Sequence, residues 1–153
     1  MNPIRTELLF RLDLAVGEHH VLGQTPAGSR RIAPVAGGTF HGPQLSGIVL
    51  PGGTDWITED SNGSWFQINV RLPLQTHEGE LVVMAYKGFR SGQPDILQKV
   101  ARGEPVDPND YYYRVVGTFE TSAVRLSWLN TLVAVGVGSR SATGPAYDVF
   151  AVL

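Results

Sequence analysis

The chain has 153 residues, 42% of them hydrophobic and 17% charged, with a formal net charge of −2 and no cysteine. That length suits one domain with a sizeable core, and the near-balanced charge excludes a nucleic-acid surface that works by displacing counterions; Arg30-Arg31 is the only adjacent basic pair. The absence of cysteine excludes disulfides and thiolate metal sites, and is compatible with a reducing compartment.

In chain order, the N-terminal MNPIRTELLFRLDLAV places Leu8, Phe10, Leu12 and Leu14 on one face and charged residues among those on the other. That alternation predicts a strand, not a signal peptide, and no segment reaches the ~20 apolar residues of a membrane helix. No membrane association is expected, and the expected compartment is the cytoplasm. Further strands are predicted over residues 30–36, 44–50, 56–59, 65–74, 80–89, 111–118, 124–128, 132–140 and 147–153. Between them lie turn signals at Ser61-Asn62-Gly63, His77-Glu78-Gly79 and residues 139–145. The run from Gly37 to Trp56 is too rich in glycine and proline for a helix and suits bends and close backbone approaches. One short helix is predicted over 95–102, with Ile96, Leu97 and Val100 at helical spacing, Pro94 before it and Gly103 as its stop; it is expected to cover one end of a barrel.

Short strands joined by short turns predict an all-β fold: a single closed antiparallel β-barrel of about eight to ten strands, lipocalin-like in architecture, occupying residues 1–153 as one domain. Leu81 to Tyr86 is apolar on both faces, so its outer face needs a cover, and a homo-oligomer is the expected one.

Gly52-Gly53-Thr54-Asp55-Trp56, Arg71, Tyr112-Tyr113-Arg114, Phe119-Glu120-Thr121 and Trp128-Leu129-Asn130 follow one another in an order that resembles the bacterial domain-of-unknown-function 3237 family. The similarity extends over nearly the whole chain and implies a single antiparallel β-barrel without an agreed activity. Tyr113 stands where that family often has phenylalanine, and Leu72-Pro73 follows Arg71 where a tyrosine is common.

No phosphate loop, nucleophile elbow or metal-ligand spacing is present, and no metal or other cofactor is expected. Two carboxylates are the candidate catalytic groups. Asp55 follows Gly52-Gly53 and precedes Trp56, where it either stabilises a bend or faces a cleft; Glu120 either forms a salt bridge with Arg114 or Arg125 or faces the same lumen. Together in one lumen they would divide into an acid and a base.

Arg71 and Arg114 are candidate clamps for an anionic oxygen, Arg114 being the better candidate for burial. Trp56, Trp128 and the tyrosines at 111–113 are candidates for an aromatic lining or for plain core. Asn130 is a turn residue or an inward amide donor, and His41 a surface histidine or a general base. The leading reading is a small-molecule enzyme without a metal, an isomerase, cyclase or lyase acting on a compact polar or aromatic metabolite in the lumen. A non-enzymatic carrier is the alternative.

Overall fold

Period-two alternation becomes strand over most of the chain. The computed structural model describes all of residues 1–153. Ten strands form: β1 (Thr6–Val16), β2 (His20–Thr25), β3 (Gly28–His41), β4 (Ser46–Val49), β5 (Gly53–Glu59), β6 (Trp65–Thr76), β7 (Leu81–Gly92), β8 (Tyr111–Glu120), β9 (Ala134–Arg140) and β10 (Pro145–Val152). All pairings are antiparallel. The long β3 pairs along one edge with β2 and then β1, and along the other with β5 and then β4. Thus β1 with β2, and β4 with β5, each fill one position of the wall. From β6 every strand pairs with the next, and β10 returns to β1. The result is an eight-position meander closed on itself between β10 and β1, in which the short β2, paired with β3 alone, keeps one open edge.

The interior is built by the inward half of each alternation. Phe66, Ile68, Val70, Leu72 and Leu74 of β6, Val82, Met84 and Tyr86 of β7, and Tyr113, Val115 and Phe119 of β8 are all buried. In β1 the register shifts between Leu8 and Phe10, so Leu9 turns into the core and Leu8 outward; Leu8 therefore leaves the face predicted for it.

The two ends of the barrel differ. At one, Phe10 meets Phe40 and Phe119 at ring-centroid distances of 5.5 and 6.1 Å. That end is sealed by Leu126 and Leu129 from the 3-10 helix Val124–Thr131, which lies where a strand was predicted over 124–128. Leu126 and Leu129 are three apart, a spacing that puts both on one side of a 3-10 turn but on opposite faces of a strand. The segment can plug the barrel only as helix.

At the other end the connection from β7 to β8 carries α1 (Pro94–Ala101), which buries Leu97 and Val100. It stops where predicted. Gly103 has φ +74°, its N–H donates to Val100 O, and Glu104 N donates to Lys99 O, so the last carbonyls are satisfied by a left-handed turn that favours glycine. No helix is long and apolar enough to cross a membrane. Leu81, Phe89 and Val116 stay exposed on the outer wall.

Asn130 brackets the turn after β8. Its Oδ1 accepts from Thr121 N at 2.8 Å and its Nδ2 donates to Thr121 O at 3.0 Å, so the amide serves the turn and not the lumen. Asn130→Ala is expected to lower stability by about 1 kcal/mol in urea unfolding while leaving the titration of the distant barrel mouth unchanged.

Candidate active site

Beneath α1 a cavity of about 80 Å³ opens between the strand ends. It is lined by His19, Arg31, Asp55, Arg90, Tyr113 and Arg140, with Ile57 and Ile68 below and Ala101 of α1 above. Flanking cavities of about 190 Å³ each lie to either side of the helix, one sharing Arg31 and Ala101 with it, the other Arg140.

Asp55 reaches this site through an interruption in the ladder. β5 and β6 pair at Asp55↔Val70 and resume only at Thr58↔Gln67, which frees the amide of Asn69; Asn69 N donates to Asp55 Oδ1 at 3.1 Å. The side chain is 8% exposed, and Oδ2 has no protein partner. Burial raises its pKa from 3.8 to about 7, against the opposing pull of the Asn69 amide and of Arg90 and Arg31. Near neutrality the carboxyl therefore exchanges a proton readily.

Three tyrosines stand below and beside it. Tyr113 Oη and Tyr147 Oη are 2.6 Å apart, and Tyr147 packs edge-on against both Tyr113 and Tyr86, at 5.4 and 5.1 Å. The Tyr86 hydroxyl is buried without a partner. Burial raises the pKa of all three, so they serve as neutral phenols and not as bases. Their bulk is accommodated by inward glycines. A Cβ on Gly138 would fall less than 3.0 Å from three ring carbons of Tyr113, one on Gly136 would fall 2.6 Å from Val115 Cγ2, and one on Gly117 would sit more loosely, 3.2 Å from Tyr86 Cβ.

Arg90 is 5% exposed. Its guanidinium lies 4.5 Å from the Phe66 ring centroid and 5.6 Å from that of Tyr113, its Nε has no acceptor, and it makes no ion pair. The Arg31 guanidinium lies 5.3 Å from the same Phe66 ring centroid and pairs with Glu59 at 3.1 Å. Burial and the neighbouring Arg90 lower the pKa of Arg140. Burial, then Arg31, Arg140 and Arg90, lower that of His19, which is therefore neutral at pH 7.

Of the residues singled out from sequence, the structure brings only Asp55, with Tyr113, to this mouth. Glu120 does not join Asp55: β8 turns its odd-numbered residues inward, so Tyr112, Arg114 and Glu120 face outward. Arg114 is correspondingly exposed, donating to Tyr113 O at 2.9 Å and lying over Tyr112, which corrects the expectation of burial. Arg125 pairs with Glu78 and Glu80 instead of Glu120. Arg71 sits on the outer face of β6, because the inward places belong to Val70 and Leu72. Trp56 and Trp128 are 44% and 38% exposed and line no lumen; Trp56 donates to Thr54 Oγ1 and faces Arg30. His41 is exposed beside Ser46 at 3.1 Å.

Arg31, Arg90, Arg140, His19, Tyr86 and Tyr147 escaped the sequence reading. The inward series Val82, Met84, Tyr86 extends by two more steps to Arg90, and Gly138, opposite Tyr147 and against the Tyr113 ring, marks room kept for large rings. No group of three or more His, Cys, Asp and Glu side chains is gathered in a way that could hold a metal ion.

The family model described as protein of unknown function (DUF3237) matches residues 4–152. The chain belongs to that family. A UPF0311 protein of Rhodopseudomonas palustris is 34% identical over 154 residues, covering 100% of both chains. The crystal structure of a conserved protein from the same organism superposes with a TM-score of 0.92 at 33% identity, covering 100% of both chains. A β-barrel-like protein of Acinetobacter baumannii is 38% identical with a TM-score of 0.86, over 100% of this chain and 98% of that one. More distantly, the chain is similar to the hydroalkoxylation enzyme phnH of Penicillium herquei, at 26% identity over 88% of this chain and 74% of that protein.

Proposed function

We propose that this DUF3237 protein is a metal-independent acid-base enzyme that isomerises or cyclises a small polar or aromatic metabolite at the barrel mouth, with Asp55 taking up and returning the proton. The observation that carries the reading is Asp55 itself, a buried carboxyl with a pKa of about 7 that opens onto a cavity. A proton-transfer group works best when its pKa lies near the operating pH. Burial of a carboxylate beside arginines, yet without a salt bridge, costs stability, and such groups concentrate at sites of chemistry.

The fungal relative's name supplies a reaction of the right kind. In an intramolecular hydroalkoxylation, an O–H adds across a carbon–carbon double bond. Here Asp55 would accept the hydroxyl proton as the oxygen bonds to one carbon of a polarised double bond, then deliver that proton to the neighbouring carbon. The product is an isomer, with no atom gained or lost. Of the neutral tyrosines, Tyr113 lines the cavity and is held in place from behind by Tyr147. A carrier reading fits less well, since the barrel interior is filled by side chains and the space at the mouth is divided by α1 into a cavity of about 80 Å³ and two of about 190 Å³ instead of one enclosed lumen.

The test is a panel of hydroxyaryl enones and alkenyl phenols incubated in D₂O. The expected product has the formula of its substrate plus one carbon-bound deuterium, and Asp55→Asn lowers the rate by about 100-fold or more. Turnover at the wild-type rate in Asp55→Asn overturns the assignment, as does turnover that brings no solvent deuterium to carbon.

A further inference from the structure

We infer that the barrel mouth is a carboxylate-binding subsite, and that the substrate brings a carboxylate group that seats against Arg90 and Arg140. This deepens the proton-transfer reading by naming a substrate class, but it stands on different side chains. The charges around the cavity do not balance. Arg31 is matched by Glu59, while Arg90 and Arg140 line the same cavity and have no carboxylate partner of their own. Asp55, the one acidic group lining it, makes no ion pair with either.

A buried cation left unpaired is costly, and folded proteins tolerate it chiefly where a ligand completes the pair. The rings of Phe66 and Tyr113 compensate Arg90 in part, but they attract the cation as a whole and accept no directed hydrogen bond from its N–H edges. The Nε atoms of Arg90 and Arg31 are shielded from solvent and lack an acceptor. The remaining neighbours do not supply one with charge, because His19 and the tyrosines are neutral.

Shape narrows the anion. A cavity of about 80 Å³ admits a small anionic group and leaves the rest of a metabolite outside it. That suits a planar carboxylate, whose two oxygens match the fork of a guanidinium. A tetrahedral phosphate is bulkier and demands donors in three directions. The rest of the substrate would extend into the flanking cavities beside α1, which share Arg31 and Arg140 with the mouth.

Benzoate, benzamide and inorganic phosphate, titrated separately into the full-length protein and followed by amide chemical shifts, decide the matter. Benzoate is expected to bind saturably and shift residues around Asp55 and Arg90, while benzamide, equal in shape but neutral, does not. Arg90→Gln is expected to raise the benzoate Kd by about tenfold or more. Arg140→Gln, at a half-buried strand end, is expected to do the same and keeps the test open should Arg90→Gln fail to fold. Asp55→Asn removes a like charge and should bind benzoate as well as or better than wild type, even with turnover gone. Absent benzoate binding, equal affinity for benzamide, a preference for phosphate, or unchanged affinity in the folded arginine variants each overturn the subsite. Loss of benzoate binding with Asp55-dependent turnover intact defeats the carboxylate proposal alone; intact binding with full turnover in Asp55→Asn defeats only the proton-transfer reading.

Discussion

Asp55→Asn should make the protein more stable, by an amount that grows with pH. In the unfolded chain Asp55 ionises near 3.8, and in the folded barrel near 7, because the charged form has lost its water. Below the lower value both states hold the proton, and the carboxyl costs nothing through ionisation. Between the two, the unfolded state releases the proton while the folded state keeps it, so stability falls as pH rises, by about 1.36 kcal/mol per pH unit. Above pH 7 both are ionised and the penalty levels off at roughly 4 kcal/mol. Asparagine carries the same acceptor toward Asn69 N but no titration, and so escapes this penalty. Urea midpoints for wild type and variant should coincide near pH 3.5, separate through pH 5 and 6, and run parallel above pH 7.5. A gap that stays constant across that range would mean an ordinary carboxylate, and the case for Asp55 as a proton carrier would go with it. A residue that weakens its own fold at working pH is the pattern expected of a group kept for chemistry.

Gly138→Ala should have a comparably large effect in the opposite direction. The added methyl would fall within 3.0 Å of Cγ and both Cδ carbons of Tyr113. The ring has nowhere to retreat, with Tyr147 edge-on against it at 5.4 Å and the Arg90 guanidinium 5.6 Å from its centroid. Either the two strands part or Tyr113 leaves its place and breaks the 2.6 Å contact with Tyr147. Overpacking of this kind costs about 3 kcal/mol when backbone must yield. Denaturant unfolding should show that loss together with a changed near-ultraviolet circular dichroism signal from the tyrosines. Gly37→Ala is the control: its Cβ would meet only Val49 O, at an ordinary 3.6 Å, and the expected change is below about 0.5 kcal/mol. Equal stability of the two variants would show that the tyrosine stack is loose.

Legibility in the sequence differs between fold and site for a physical reason. A strand's faces are written locally: Phe66, Ile68, Val70 and Leu72 alternate with Gln67, Asn69 and Arg71, and the apolar set is the one that burial selects. The same holds for α1, whose stop at Gly103 needs only local conformational energetics. At Val124–Thr131 the local signal misled, because valine and tryptophan favour strand while the plugging of the barrel by Leu126 and Leu129 demands a helical turn. At the site, Arg114 in aromatic company looked inward, yet it follows Tyr113, and only one of two successive strand residues can face the lumen.

The strands of the meander, the helix on the β7–β8 connection and the candidacy of Asp55 were legible in the chain alone, since these depend on alternation, turn chemistry and glycine placement along contiguous residues. Only the closed barrel decided that Asp55 would meet Arg31, Arg90 and Arg140 instead of Glu120, Arg71 and Arg114. Closure curves β3, β5, β7 and β9 until their ends share one mouth, so residues far apart along the chain come under a common desolvation and a common field. A carboxyl's pKa and an arginine's missing partner are properties of that enclosure, and no stretch of sequence contains them.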